Sequence, residues 1–199
     1  MKKILIDAGH GIDTKGKRSP DGKLLEWKWN MDTANRVAVL LKEMGYDVEL
    51  IKPEQTDIPL VERVRRVNKY GKDSLLVSIH INALGTGQEW MKARGWSIWT
   101  TEGATESDTI AKCIWSEAVK MWGKERVRGD MSDGDVDYES NFYILRKTVC
   151  PAVLVENFFM DNEKDCAYLL DSQSNKECAE VIAKGLDRYL KEGKWIINI

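Results

Sequence analysis

Short apolar runs alternate with stretches of helical periodicity along nearly the whole chain. Runs at residues 4–6, 46–51, 75–79, 96–100, 142–145 and 152–155 read as strands, most of them buried on both faces. Between them, Met31, Ala34, Val37, Ala38, Leu41 and Met44 recur at helical spacing until Gly45. A second amphipathic helix runs from about Leu60 to Tyr70. Thr105 and Asp108 have the spacing of a capping box ahead of a helix over 110–122. Two more helices close the chain, near 161–170 and 174–190, the second with Ser174 and Glu177 as its capping pair. This alternation implies an α/β fold: a single three-layer domain, a largely parallel central sheet flanked by helices.

No repeat and no low-complexity linker interrupts the 199 residues, so residues 1–199 read as one domain with one core. The formal net charge of -2 argues against a nucleic-acid binder held by a general positive field. No stretch approaches the ~18 apolar residues of a membrane span, and Ile4-Leu5-Ile6 is too short for a signal-peptide core. A chain made in the cytoplasm without a signal peptide is the expectation. Cys113, Cys150, Cys166 and Cys178 form no CxxC pair and read as buried reduced thiols. There is no P-loop, GxGxxG or GxSxG, which leaves NTPase, dinucleotide and serine-hydrolase chemistry without support.

In parallel sheets, ligands bind beyond the carboxyl ends of the strands. Three strands meet that rim with chemistry: Asp7-Ala8-Gly9-His10-Gly11 follows the first, His80 follows residues 75–79, and Glu156 follows residues 152–155. His10 and His80 are the only histidines. Two imidazoles and a carboxylate make a common open zinc site, and a second carboxylate nearby can act as the base. Glu156 supplies one acid. The other should come from the segment after His10, where Glu26 is the first candidate and Asp7, Asp13 and Asp21 are rivals on spacing alone.

Asp7 to Gly11, Glu26 with Asn30, Ser78-Ile79-His80-Ile81-Asn82-Ala83, and Pro151 to Asn157 resemble, in order, the motifs of zinc-dependent N-acetylmuramoyl-L-alanine amidases of the type-3 family. Leu60, Arg63, Asn68 and Leu145-Arg146 agree, and the resemblance spans nearly the whole chain. It implies one zinc ion on His10, Glu26 and His80, so it selects Glu26 over the aspartates, and it implies Glu156 as the catalytic acid/base. The implied reaction hydrolyses the amide between N-acetylmuramic acid and L-alanine in bacterial peptidoglycan, in the manner of a phage-type endolysin reaching the wall after release. The competing readings are a zinc hydrolase of another amide and a non-catalytic wall-binding module. No separate wall-binding domain is evident. The chain departs from the family in Lys15, Lys17 and Arg18 after His10, in Lys52, and in Asn157-Phe158-Phe159 after Glu156. These bear on substrate contacts rather than on the ligands.

Trp27 and Trp29 closely follow Glu26 and read as packing residues or as a stacking surface. Trp90, Trp96 and Trp99 surround an insertion, residues 84–95, that is expected to wall a groove. Asn82 reads as a turn residue or a ligand-orienting one, and Asp7 as a support of the His10 turn. Asp130, Asp133, Asp135, Asp137 and Glu139 form an acidic loop that fails the EF-hand pattern and reads as solvated, or else as a groove rim for cationic stem-peptide groups. The tail from Trp195 to Ile199 reads as an edge strand or a packing segment.

Overall fold

The computed structural model describes residues 2–196. Six strands, β1 (Lys3–Ala8), β2 (Val48–Leu50), β3 (Ser74–Asn82), β4 (Ser97–Thr100), β5 (Tyr138–Glu139) and β6 (Ala152–Phe159), form one sheet in the order β2-β1-β3-β6-β4-β5. The pairs β1–β2, β1–β3, β3–β6 and β4–β5 are parallel, and only β4–β6 is antiparallel. Helices α1 (Glu26–Glu43), α3 (Glu106–Trp122) and α6 (Ser172–Ile196) cover one face, and α2 (Leu60–Asn68) and α4 (Tyr143–Lys147) the other. Helix α5 (Glu163–Leu170) follows β6. This is the α/β three-layer domain expected. No described helix is long and apolar enough to cross a membrane.

Because side chains alternate across a strand, each face has its own sequence. Ile4, Ile6, Leu75, Val77, Ile79, Val153 and Val155 belong to the larger core under α1, α3 and α6. Leu5, Leu76 and Leu154 belong to the smaller core under α2 and α4. Along that second face the residues change from apolar to polar toward the carboxyl rim: Leu5 then Asp7, Leu76 then Ser78 then His80, Leu154 then Glu156.

Several boundaries differ from expectation. Helix α1 opens at Glu26, five residues before Met31, where the helical periodicity of the sequence begins. His80 and Glu156 lie inside β3 and β6 rather than after them, and the strands continue to Asn82 and Phe159 past a register shift. Residues 143–147 form the short helix α4, not a strand; Ile144 and Leu145 bury one side of a single turn, a pattern too short to separate the two periods. The Thr105/Asp108 capping box is realised at α3. The Ser174 box is not: α6 starts at Ser172, and the Ser174 hydroxyl donates back to the Leu169 and Asp171 carbonyls. Trp195 and Ile196 continue α6, and Ile197 to Ile199 lie outside the described residues. All four cysteines are free and buried.

Helices α3 and α6 cross at Gly185, where an added Cβ would lie 2.5 Å from the Ile114 Cα. Backbone cannot yield as a flexible side chain does, so overpacking outweighs the gain in helix propensity. Gly185→Val is expected to lose about 1–3 kcal/mol, a Tm fall of several degrees by calorimetry for a chain of this size. A Tm equal to or above wild type would mean that the two helices separate freely at that crossing.

Candidate metal centre

Strand β1 ends at Ala8, and its extension carries Gly9, whose N–H donates to the Ile79 carbonyl at 2.9 Å. His10 follows in the left-handed region, φ 64°. A non-glycine residue there is strained and persists only where its surroundings fix it. Arg63 of α2 does so: its guanidinium donates to Asp7 Oδ1 (2.6 Å), the Ala8 carbonyl (2.7 Å), Asp57 Oδ1 (2.6 Å) and the His10 carbonyl (3.4 Å). Ser78 Oγ donates to the other oxygen of Asp7 at 2.7 Å. Asp7 thus supports the His10 turn through Arg63.

The His80 ring stands edge-on to that of His10, with centroids 5.0 Å apart at 88°. Glu26, 1% exposed, reaches between them from the start of α1. Its Oε1 lies 3.3 Å from His10 Nε2 and 3.3 Å from His80 Nδ1. The same oxygen accepts from the Ile81 N–H at 3.1 Å and from Asn30 Nδ2 at 3.5 Å. Asn30 Nδ2 also donates to the Gly9 carbonyl at 3.1 Å, tying the helix start to the His10 turn. Gly9 is obligatory, since a Cβ there would lie 2.2 Å from His80 Cε1.

His80 and Glu156 are register partners on adjacent parallel strands. Neighbouring strands lie about 4.8 Å apart, so the two side chains rise from one face side by side. Asn157 fixes the spot: its Nδ2 donates to the His80 carbonyl at 3.0 Å, and its Oδ1 accepts from Trp96 Nε1 at 3.1 Å. Nothing in the sequence around Asn157 marks this role. A buried indole far along the chain supplies its partner, which no local signal reveals.

The two carboxylates have opposite surroundings. Burial pushes Glu26 up, but the imidazoles of His10 and His80 beside it pull it far below the ordinary carboxylate range. Burial pushes Glu156 up to about 7, against the opposing pull of His80. Glu26 Oε2 and Glu156 Oε2 are both buried with no hydrogen-bond partner.

These donors suit a divalent metal. One ligand atom from each of His10, Glu26 and His80 lies within 4.8 Å of the other two. A tetrahedral ion with bonds near 2.0–2.1 Å sets its donors about 3.3 Å apart, and Glu26 Oε1 stands 3.3 Å from each imidazole nitrogen. Of the rival aspartates, Asp7 is committed to Arg63 and Ser78, Asp13 to the Asp57 N–H and Asp21 to Ser19. Asn82 is the last residue of β3 rather than a turn residue, and its Oδ1 accepts from the Ala83 N–H. Trp29 is buried, donating to Ser174, and Trp96 is core rather than groove.

Fold and site together define an α/β domain with a two-imidazole, one-carboxylate cluster and a second, unpartnered carboxylate on the same rim. The chain belongs to the N-acetylmuramoyl-L-alanine amidase family, whose model matches residues 4–188. It is 31% identical over 190 residues to the N-acetylmuramoyl-L-alanine amidase CwlM of Bacillus licheniformis, covering 94% of this chain and 68% of that protein. It is 29% identical over 195 residues to an endolysin of Bacillus phage SPP1, covering 95% and 66%. Among solved structures, that of N-acetylmuramoyl-L-alanine amidase from Clostridium difficile 630 superposes with a TM-score of 0.82 at 29% identity, over 96% of this chain and 97% of that one.

Asn30→Leu removes the amide that joins Glu26 to Gly9. It is expected to weaken metal retention by about 10–100-fold with little change in far-ultraviolet dichroism, measured by metal analysis after dialysis against a graded chelator. Wild-type retention in that variant would show that the helix start needs no such tie.

Proposed function

We propose that this chain holds one zinc ion on His10, Glu26 and His80, with Glu156 as the acid/base in hydrolysis of the amide between N-acetylmuramic acid and L-alanine in peptidoglycan. Family membership carries the reaction. The single observation that supports the metal is Glu26 Oε1, buried and equidistant from two imidazole nitrogens. When bound, zinc supplies Lewis acidity that lowers the pKa of water and polarises a carbonyl.

The protein's own groups do the rest. His10 and His80 would hold the ion through ring nitrogens in their neutral form, while Glu26 brings a negative charge that burial alone would oppose. Glu156, beside His80 and with one oxygen free, accepts a proton from the attacking water. It then hands that proton to the departing alanine nitrogen. The products are a muramyl lactyl carboxylate and a stem peptide with a new amino end.

Residues 84–95 form one side of the substrate groove. The insertion is fastened rather than loose: Asp161 Oδ2 accepts from the Gly85 N–H (2.8 Å), Asn162 Nδ2 donates to the Met91 carbonyl (3.1 Å) and Asp165 Oδ2 accepts from the Gly95 N–H (2.7 Å). Trp90, 39% exposed, and the half-buried Trp27 have surface left to meet substrate. We take residues 1–199 as one catalytic domain acting on the cell wall as a lysin.

Glu156→Gln keeps the shape of the side chain and removes the base. It is expected to retain zinc and to lower kcat by about 100–10,000-fold, followed as new alanine amino ends released from purified peptidoglycan. His80→Ala is expected to lose zinc and activity together. Undiminished turnover in Glu156→Gln, or zinc-loaded wild type that frees no alanine ends, would end this reading. Cleavage of small amides but not peptidoglycan would instead favour a different amide substrate.

A further inference from the structure

A second group of carboxylates lies away from this rim. One ligand oxygen each from Asp108, Asp135 and Asp137 lies within 4.8 Å of the other two. Asp108 is in the first turn of α3, and Asp135 and Asp137 end the loop before β5. Strand β4 runs antiparallel to β6, with Ser97 opposite Glu156 and Trp99 opposite Leu154. Thr100, whose hydroxyl donates to Asp137 Oδ2, therefore lies toward the amino end of β6, away from Glu156 at its carboxyl rim. The two clusters are separate.

The acidic loop is not simply solvated, as its composition suggested. Asp133 is exposed, but Asp137 is 1% exposed and Asp135 is half-buried. Asp137 Oδ1 is buried without a hydrogen-bond partner, and so is Asp135 Oδ1. Asp108 already accepts from the Thr105 N–H (2.5 Å) and hydroxyl (3.1 Å), so it has no donor to share. A buried carboxylate oxygen facing other carboxylates needs a counter-charge, either a proton or a cation. Among the described residues no Lys or Arg forms a salt bridge with any of the three, whereas the similarly buried Asp7 has Arg63.

We propose that Asp108, Asp135 and Asp137 bind a structural calcium ion that fastens the 130–137 loop to the start of α3. The donors are all hard oxygens, which suit calcium. Zinc prefers nitrogen and sulfur, and magnesium demands tighter octahedral geometry. Water and loop carbonyls complete the coordination that three carboxylates begin. The site is not an EF-hand, because one ligand comes from a helix distant in sequence. Without a cation, burial and then the charge of Asp135 push Asp137 up to about 7, and burial with the charges of Asp135 and Glu139 raises Asp108.

Trp99 stacks on Tyr138, the residue that follows Asp137 in the chain, with centroids 4.8 Å apart, and this pair is an antenna for a bound lanthanide. The test titrates terbium into the zinc-retaining full chain and excites the indole. Saturable sensitised emission is expected, displaced by calcium and weakened at least tenfold in Asp135→Asn and Asp137→Asn. In parallel, calcium at about 1 mM should raise the Tm of wild type and not of Asp135→Asn. Asp135 is half-buried, so that variant decides the matter if Asp137→Asn fails to fold. Emission that is absent, or undiminished in Asp135→Asn, overturns the proposal; so does a Tm indifferent to calcium, which would leave a shared proton as the counter-charge.

Discussion

The parallel register across β1, β3 and β6 is the constraint on which the site depends. It pairs Asp7 with Ser78 and His80 with Glu156, so groups far apart in sequence become immediate neighbours. Pleating then sends them to one face. The same alternation keeps Ile4, Ile6, Val77, Ile79, Val153 and Val155 in the opposite core, so a polar rim costs the larger core nothing. A slip of one residue in β6 would turn Glu156 into that core and Val155 toward the histidines. The site is therefore specified as strongly as the hydrophobic packing itself.

Register alone does not place His10 or Glu26, which lie beyond the strand and at a helix start. Both are held by polar side chains whose own positions are fixed by packing. Arg63 gathers the Ala8 and His10 carbonyls together with Asp7 and Asp57, and so fixes the strained turn. Asn30 joins Glu26 to Gly9. A buried ion pair such as Arg63–Asp7 is weak support for stability as such. Its value here is directional, because it sets the backbone that aims an imidazole.

Much of this was legible in the sequence, and the reasons are particular. Strand cores and amphipathic helices announce themselves by period, and two solitary histidines following apolar runs mark a rim. Glu26 was harder. Spacing left it level with three aspartates, and the resemblance to known amidase motifs decided for it. The geometry gives a physical reason: Asp7, Asp13 and Asp21 each have other partners, whereas Glu26 opens a helix aimed between the rings. Residues 142–145 misled because four apolar residues fit either period. The burial of Asp137 was illegible, since charge in a Gly- and Ser-bearing segment reads as solvated until the partner strand and α3 are known.

The insertion after β3 shows how a loop is made part of a rigid site. Asp161, Asn162 and Asp165, at and just before the start of α5, hold three of its backbone groups, and Asp165 also accepts from the Phe159 N–H at 3.2 Å. The loop and the end of β6 thus share one anchor. A segment fixed in this way has already lost its conformational entropy on folding, so under the proposed function a substrate laid against it need not order it. Positional accuracy at Glu156 then comes from both sides: from β3 through the His80–Asn157 hydrogen bond, and from the insertion through the helix that follows the strand. In the proposed reaction, where Glu156 meets a water and then a leaving nitrogen, that two-sided hold limits the displacement that proximity and orientation cannot tolerate.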